Sequence, residues 1–245
     1  MWPFSSKPDS LKKSKVLVGL TDWHSHILPG VDDGFKEMKD SLRALDEMER
    51  LGVKDLWLTP HVMEDCPNET DALQKRFEEL QLAYTGNVNL HLASENMLDA
   101  LFDERLEQND FLPLGEQGHH LLVETSYYRP PLHLMSIMEE IKAKGYHPVL
   151  AHPERYQYMD EKDYIELKEI GVWFQANYFS MLGAYGSTAQ KKIEWMLKKN
   201  MIDIVGSDLH RLNVLLNIVD KSPSKKSTLE SFRNLVANNN QLSCR

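Results

Sequence analysis

Two histidines separated by one residue, His24 and His26, are the residues of the chain best suited to chemistry. If the apolar run before them forms a strand that continues through them, both side chains point to the same side. Neutral imidazole is a common metal ligand, and an Asp-Asp-Gly turn at residues 32–34 follows within reach, after Pro29 and Gly30. A His-x-His pair alone is weak support for a metal site, and a polar surface loop is the simpler interpretation.

The polar residues that follow the other apolar runs decide between these interpretations. Seven runs of strand length end in side chains with imidazole, carboxylate, amide or guanidinium groups. In chain order these residues are His24, His26, Asp33, His61, Glu95, Glu124, His152, Glu154, Arg155, Asn177, Asp208 and His210. Active sites of α/β barrels lie at the carboxyl ends of the strands, so these side chains are predicted to lie together. The other histidines are interpreted as structural: His91, His119, His120, His133 and His147.

Strands and helices are predicted to alternate along the chain. The predicted strands cover residues 16–21, 53–59, 88–93, 120–124, 148–151, 172–176 and 201–206. Between them lie segments with helical spacing of apolar residues, of which residues 37–51, before Gly52, are the clearest. This alternation indicates an α/β fold with a parallel sheet. A closed barrel and an open doubly wound sheet both fit, and the strand count and the clustered polar residues favour the barrel.

Length and composition limit the domain organisation and the function. A chain of 245 residues has room for one α/β barrel, predicted as a single domain over residues 16–245 after a flexible tail at residues 1–15. The net charge of −9 argues against a nucleic-acid-binding protein, because such proteins are usually basic. Two cysteines form no disulfide framework and favour a reducing, cytoplasmic location. No stretch approaches the roughly 20 apolar residues of a membrane span.

The number and type of candidate ligands predict more than one metal ion. A catalytic zinc site commonly has three protein ligands, whereas about nine imidazole and carboxylate groups are available here. Two or three ions that share carboxylates are therefore expected. Nitrogen and oxygen donors without thiolate suit Mn²⁺, iron or Zn²⁺. Clustered ions of this kind recur in phosphoester hydrolysis, where they ionise a water molecule and bind phosphoryl oxygens.

Arg155 is the candidate phosphate ligand, because a guanidinium group can bind two phosphate oxygens at once. The alternative is a surface ion pair with Glu154 or Asp160. The predicted loops around it are rich in aromatic residues: Trp23, Tyr127, Tyr128, Tyr156, Tyr158, Tyr178, Phe179 and Tyr185. Flat apolar side chains suit an aromatic phosphoester, although most of them are expected to pack the loops onto the barrel. Tyr127, Tyr128 and Tyr178 are the candidates for substrate contact.

Six short motifs together resemble the polymerase-and-histidinol-phosphatase (PHP) superfamily. They are His24-x-His26, Asp32-Asp33-Gly34, Thr59-Pro60-His61, Glu95, His152-Pro153-Glu154-Arg155 and Ser207-Asp208-x-His210. The amino-acid sequences of these motifs are similar to those of the bacterial capsule-regulating protein-tyrosine phosphatases within this superfamily. The resemblance implies a distorted (β/α)₇ barrel of the PHP fold that holds three divalent metal ions. Mn²⁺ is the expected ion, with iron, Zn²⁺, Co²⁺ and Mg²⁺ as the others considered.

The resemblance also implies a role for each motif residue. The first ion would be held by His24, His26, Glu95 and Asp208, the second by Glu95, Glu124 and His152, and the third by Asp33, His61 and His210. Asp32 is an alternative to Asp33. Arg155 would bind the phosphate, Arg211 is a candidate second phosphate ligand, and Asp208 and His210 would also be catalytic.

The implied substrate is phosphotyrosine on the tail of a bacterial tyrosine kinase that regulates capsular or exopolysaccharide synthesis. Such a substrate would bring the protein close to the inner face of the membrane. Two other functions stay open at this point. One is hydrolysis of a small phosphoester such as histidinol phosphate, and the other is a non-catalytic metal-binding module that regulates a partner.

Overall fold

A curled sheet of parallel strands forms the centre of the molecule. The computed structural model describes residues 8–239. Within this range the strands are β1 (Thr21–Asp22), β2 (Asp55–Leu58), β3 (His61–Val62), β4 (Asn89–Leu92), β5 (Glu95–Met97), β6 (His120–Glu124), β7 (His147–Ala151), β8 (Trp173–Asn177) and β9 (Ile204–Gly206). They pair in the orders β1-β2-β4 and β3-β5-β6-β7-β8-β9, and every pair is parallel.

The curled sheet closes on itself between its first and last strands. The backbone N–H of Trp23 donates to the carbonyl of Val205 over 3.0 Å, and Ser25 forms a parallel bridge with Leu209. The predicted strands at residues 53–59 and 88–93 correspond to β2 and β4, and each is followed, after a break of two residues, by a further short strand, β3 or β5. This break divides the sheet into two parts and distorts the barrel. The α/β barrel and its distortion agree with the sequence-based prediction.

Helices cover the outside of the sheet. They are α1 (Leu11–Ser14), α2 (Met38–Leu51), α3 (Thr70–Ala83), α4 (Ala100–Gln108), α5 (Leu134–Ala143), α6 (Glu161–Glu169), α7 (Gly186–Lys198), α8 (Leu212–Ile218) and α9 (Lys226–Asn239), with 3₁₀ turns at Pro153–Arg155 and Tyr178–Leu182. Asp160 begins α6 with a capping box, and Gly52 ends α2 in a left-handed conformation. Among the described residues, none of these helices is both long and apolar enough to cross a membrane.

The predicted first strand is wrong over most of its length. Strand structure is confined to Thr21–Asp22, and residues 15–19 form a series of turns. Val16 and Leu17, which are neighbours in sequence, are both buried, whereas side chains of successive strand residues point to opposite faces. Gly19, with a φ of +79°, then turns the chain towards β1.

The predicted boundary between tail and domain also differs from the structure. Helix α1 lies inside the predicted tail, yet Leu11 is buried in the core and its N–H donates to the carbonyl of Lys221. The packed part of the chain therefore begins before residue 16. The first seven residues of the predicted tail lie outside the described residues.

The sheet separates two apolar clusters. Successive residues of β6 point to opposite faces of the sheet. Leu121 and Val123 pack in the cluster between the sheet and the helices, whereas Leu122 belongs to a second cluster inside the barrel. The inner cluster is Trp23, Trp57, Ala93, Leu114, Leu122, Val149, Ala151 and Ile204, with Trp173 packed against it. The rings of Trp23 and Trp57 stack with their centroids 5.4 Å apart. This filling closes the barrel interior below the carboxyl ends of the strands.

The opposite end of the barrel carries a pair of histidines at the start of adjacent strands. His120 of β6 is in register with His147 of β7, and their ring centroids are 5.2 Å apart. The His120 ring also packs against Trp173 at 4.7 Å. Burial, together with the neighbouring His147 and His119, lowers the pKa of His120 to about 4.

We expect this histidine to make the protein less stable in mild acid. An unfolded histidine binds a proton at its ordinary pKa of 6.5, whereas folded His120 does so only near pH 4. The stability that His120 contributes is therefore present above pH 6.5 and is lost as the pH falls towards 4. Urea unfolding at pH 7 and pH 4.5 should show a smaller loss of stability for His120→Gln than for the wild type. His133→Asn, at an exposed histidine, is the control; an equal loss in all three proteins contradicts the prediction.

Candidate metal centre

The carboxyl ends of the strands bring the two histidines of the first motif to one point. His24 and His26 follow β1, and their Nε2 atoms are 3.0 Å apart. Both side chains are fully buried. The segment between them is held by Ser25, whose N–H donates to Thr59 Oγ1 over 3.2 Å and whose hydroxyl donates to the carbonyl of Trp57 over 2.9 Å. The backbone between the histidines is thus fixed against β2 and the residue that follows it.

The Glu95 carboxylate occupies the centre of the histidine cluster. Its Oε2 atom lies 3.2 Å from Nε2 of both His24 and His26 and 3.1 Å from Nδ1 of His61. Its Oε1 atom lies 2.9 Å from Nε2 of His152. Burial raises the pKa of Glu95, but the surrounding imidazoles outweigh it and hold the pKa well below its usual value. Glu95 is therefore an ionised carboxylate at the centre of the site.

Several buried polar atoms at this centre have no hydrogen-bond partner among the described residues. They include His61 Nδ1, Glu95 Oε2 and Glu124 Oε1. His61 Nδ1 and Glu124 Oε1 are nevertheless only 2.9 Å apart. Buried polar groups are normally hydrogen-bonded, so atoms that converge without hydrogen-bond geometry need another partner. A divalent cation is a partner that imidazole nitrogen and carboxylate oxygen both accept.

Four overlapping groups of side chains have the geometry of metal ligands. In each group the ligand atoms lie within 4.8 Å of one another. The groups are His26, Asp33, His61 and His210; His24, Glu95 and His152; His24, His26 and Asp208; and His61, Glu95 and Glu124. Together they contain all nine residues named as candidate ligands in the sequence analysis. The groups share members, so the nine side chains form a single continuous cluster.

The two adjacent aspartates have different environments. Asp32 is buried; its Oδ2 atom lies 2.7 Å from His26 Nδ1, and its Oδ1 atom accepts a hydrogen bond from the N–H of Gly34 over 2.8 Å. Asp33 is 71% exposed, and its Oδ1 atom lies 3.2 Å from His210 Nε2 and 3.5 Å from His61 Nε2. Asp33 thus belongs to the cluster directly, whereas Asp32 orients the ring of His26.

Asp208 joins the histidine cluster to Arg155. Its Oδ1 atom lies 3.4 Å from His26 Nε2, and its Oδ2 atom accepts hydrogen bonds from Arg155 and from Asn177 Nδ2, the latter over 2.8 Å. The backbone at Asp208 is left-handed, with a φ of +52°. Burial raises the pKa of Asp208, but His26 and the other neighbouring cations hold it well below its usual value.

Arg155 is held between two tyrosine rings. Its guanidinium carbon lies 4.4 Å from the ring centroid of Tyr127 and 4.3 Å from that of Tyr185. The predicted alternative, an ion pair with Glu154 or Asp160, is not what the structure has, because Arg155 pairs with Asp208. Glu154 is buried away from Arg155, where its Oε1 atom accepts hydrogen bonds from the hydroxyl of Ser180 and the N–H of Asn177.

The tyrosines proposed for substrate contact lie in three different environments. Tyr127 lies beside the site, with its ring centroid 5.8 Å from that of His152. Tyr128 is 70% exposed on the same loop. The prediction for Tyr178 is wrong, because its side chain is fully buried, its hydroxyl donates to Asp22 Oδ2 over 3.0 Å and its ring packs against Phe232. Tyr178 is part of the core that supports the site.

Arg211 supports the turn that carries Asp33. Its guanidinium donates to the backbone carbonyls of Asp33 and of Gly34, the latter over 2.8 Å. The side chain is exposed and lies next to His210 in sequence and in space. Arg211 therefore holds the turn in place while its outer surface faces solvent beside the cluster.

Sequence reasoning missed the residues that orient His24. Gln175 Oε1 lies 2.7 Å from His24 Nδ1, and Asp22 Oδ1 accepts hydrogen bonds from the N–H groups of His24 and Ser207. Burial raises the pKa of Asp22 to about 6, against the opposing effect of these hydrogen bonds. Gln175 could have been noticed as a polar residue in an otherwise apolar predicted strand. Tyr185 was among the predicted loop aromatics, but nothing in the sequence distinguished it from the others as a residue that stacks on Arg155.

The fold and the site define the class: a distorted α/β barrel with a cluster of side chains that could bind metal at the carboxyl ends of its strands. Residues 20–239 match the family model for capsular polysaccharide synthesis, CpsB/CapC. The chain belongs to this family, which confirms the resemblance read from the motifs.

Curated relatives and solved structures agree with this assignment. The tyrosine-protein phosphatase CpsB of Streptococcus pneumoniae is 30% identical over 213 residues, which cover 79% of this chain and 84% of that protein. The tyrosine-protein phosphatase YwqE of Bacillus subtilis is 27% identical over 199 residues, or 79% of this chain and 78% of that protein.

Two solved structures support the barrel. One belongs to the work on YwqE from Bacillus subtilis and CpsB from Streptococcus pneumoniae, described as unique metal-dependent tyrosine phosphatases. It superimposes with a TM-score of 0.79 at 23% identity, covering 91% of this chain and 94% of that one. The phosphotriesterase homology protein of Escherichia coli, solved with phosphate in its active site, gives a TM-score of 0.52 at 12% identity, covering 89% and 92%. At these identities the comparison confirms the fold.

The different positions of Asp32 and Asp33 lead to different expectations for their asparagine variants. Asp33→Asn removes a charged oxygen from the cluster itself, so we expect it to lower the number of bound ions. Asp32→Asn leaves that number unchanged at saturating metal but weakens metal affinity about 10-fold to 100-fold, because His26 loses its orienting carboxylate. Metal content after gel filtration and competition with a chelator measure the two effects. Asp71→Asn, on the exposed face of α3, is the control; identical behaviour of both variants would refute the distinction.

Proposed function

We propose that this protein is a metal-dependent protein-tyrosine phosphatase. The observation that carries the proposal is the convergence of imidazoles and carboxylates on the buried Glu95 carboxylate, directly beside Arg155. The relatives named above are tyrosine-protein phosphatases, which supports phosphotyrosine as the substrate. The reaction is hydrolysis of a phosphoric monoester.

The proposed metal centre holds three divalent ions, with Mn²⁺ as the preferred ion. Its ligands are His24, His26, Asp33, His61, Glu95, Glu124, His152, Asp208 and His210. These nitrogen and oxygen donors, with no thiolate among them, suit Mn²⁺, and they leave iron, Zn²⁺, Co²⁺ and Mg²⁺ as ions to compare. Bound divalent ions supply an acidified water molecule and neutralise the charge of a phosphoryl group.

The residues of the chain around the centre bind and orient the phosphoester. Arg155 is stacked between Tyr127 and Tyr185, so its guanidinium plane is fixed before substrate arrives and can donate two hydrogen bonds to phosphoryl oxygens. Asp208 holds this guanidinium and, through its other oxygen, approaches the histidines. The ring of Tyr127 offers an apolar surface to the phenyl group of the substrate. Asp208 and His210 are the further catalytic candidates, and Arg211 and Tyr128 are candidates for contact with the rest of the substrate.

The openness of the site favours a protein substrate over a small molecule. Asp33 and His210 are accessible to solvent at the edge of the cluster, while Glu95 and His24 lie fully buried beneath them. A phosphorylated side chain that projects from another protein can reach such an edge. We propose the tyrosine-phosphorylated tail of a bacterial kinase that regulates capsular or exopolysaccharide synthesis, with the reaction in the cytoplasm at the inner face of the membrane.

A metal-dependence assay tests the proposed function. After treatment with a chelator, we expect no phosphate release from phosphotyrosine peptides, and we expect recovery when Mn²⁺ is restored. Phosphoserine peptides and histidinol phosphate should be poorer substrates by kcat/KM. A preference for histidinol phosphate would favour a small-molecule phosphatase, and no turnover of any phosphoester with every metal tried would favour a non-catalytic binding module.

The fixed guanidinium of Arg155 gives a second test. In Arg155→Lys a single ammonium replaces a fork that can donate two charged hydrogen bonds, each worth about 1.5–3 kcal/mol. We expect kcat/KM for a phosphotyrosine peptide to fall about 10-fold to 100-fold while metal content is unchanged. Arg129→Lys, an exposed arginine on the neighbouring loop, is the matched control. Unchanged kcat/KM in Arg155→Lys would remove Arg155 from the phosphate-binding role.

A further inference from the structure

A groove of about 600 Å³ begins at the metal centre and runs between α2 and the start of α8. His210 forms one end of it, and this residue lies 3.2 Å from Asp33 in the ligand cluster. Lys36, Arg43 and Arg211 line the groove. The groove is therefore continuous with the candidate active site, and apart from His210 it is formed by residues outside the ligand set.

The charge of the groove is opposite to that of the whole chain. Three of its lining residues, Lys36, Arg43 and Arg211, carry full positive charges, and Asp40 is the acidic residue among them. The complete chain has a formal net charge of −9. Positive charge gathered on one face of an acidic protein indicates recognition of an anionic group, because the remaining surface repels such a group.

The cations of the groove face solvent. Arg43 is 66% exposed, and its Nη1 atom lies 3.5 Å from Asp40, one turn earlier on α2. Lys36 and Arg211 are exposed as well, and both donate to backbone carbonyls of the Asp32–Gly34 turn. Hydrogen bonds to backbone carbonyls fix the positions of these side chains without neutralising their charge. Leu212 and Leu216 add apolar surface between them.

We propose that this groove binds acidic groups that flank the phosphotyrosine in the substrate polypeptide. The inference rests on the proposed phosphatase function and extends it to substrate selection. With the phosphotyrosine at the metal centre, the adjoining backbone passes His210 and enters the groove. Anionic side chains at neighbouring positions then meet Arg43, Lys36 and Arg211. The shared chemistry is an anionic side chain, which can be the carboxylate of Glu or Asp or the phosphate of a second phosphotyrosine.

Helix α2 provides a matched pair of charge-reversal variants. Arg43 lies in the groove, whereas Arg50 lies seven residues later on the same face of the helix and does not line it. Both arginines are exposed to a similar extent, 66% and 68%, and each has an acidic partner three residues earlier. R43E and R50E therefore change the net charge of the protein equally, and only R43E changes the groove.

The experiment compares three peptides with the metal-loaded enzyme. One phosphotyrosine is flanked by alanines, one by glutamates and one by a second phosphotyrosine. We expect R43E to reduce the preference for the glutamate-flanked over the alanine-flanked peptide about fivefold in kcat/KM, equivalent to about 1 kcal/mol. R50E should keep the wild-type preference, and turnover of p-nitrophenyl phosphate should be equal in all three proteins. The effect of R43E should shrink as salt rises.

The outcomes separate the groove from the phosphatase activity. Equal effects of R43E and R50E, or no preference for flanking acidic residues in the wild type, would refute the proposed role of the groove. Neither result would contradict the phosphatase function. The doubly phosphorylated peptide shows whether phosphate replaces carboxylate in the groove. Binding of the same peptides with a phosphonate in place of the phosphate, followed by fluorescence anisotropy, tests the groove independently of turnover. Loss of the affinity difference in R43E but not in R50E supports the groove even if no peptide is hydrolysed.

Discussion

The buried carboxylate of Glu95 is the constraint on which the rest of the site depends. Removing an ionised carboxylate from water costs several kcal/mol unless cations or hydrogen bonds replace the water. His24, His26, His61 and His152 surround it at about hydrogen-bond distance. His24 and His26 follow the same strand, β1, whereas His61 follows β2 and His152 follows β7. The parallel barrel accommodates Glu95 because it gathers the carboxyl ends of several strands at one place.

Positioning of the ligands relies on supports that do not belong to the cluster. Gln175, Asp22 and Asp32 fix His24 and His26 by hydrogen bonds to ring nitrogens or backbone. The backbone itself is left-handed at two of the proposed ligands, His152 with a φ of +33° and Asp208 with a φ of +52°. Such conformations cost non-glycine residues on the order of 1 kcal/mol or more, so packing elsewhere must maintain them. Gly206 contributes by approaching His24 so closely that an added Cβ would lie 2.4 Å from the His24 Cβ.

The contrast between correct and wrong predictions has a physical origin. The clustering of the candidate ligands was predictable from one rule. The carboxyl ends of parallel strands meet at one end of a barrel, so a residue at a strand end can be placed there from its position in the sequence alone. The same rule cannot tell which way a loop side chain turns, so Tyr178 was assigned to the substrate although it is buried against Phe232. Asp32 and Asp33 are chemically identical neighbours, and only the turn at Gly34 separates their roles. The segment at residues 16–20 has the composition of a strand but not its alternation.

The ligand set also links anion binding to metal occupancy. Four of the nine clustered residues are carboxylates, Asp33, Glu95, Glu124 and Asp208, and the chain as a whole is acidic. Arg155 is already paired with Asp208, so the side chains alone present little free positive charge to a phosphate. Three divalent ions, as proposed, would bring six positive charges and reverse the sign of the centre. The reacting phosphate would then be attracted to the centre only in the loaded enzyme, and the proposed basic groove beside His210 would extend that attraction to the flanking residues.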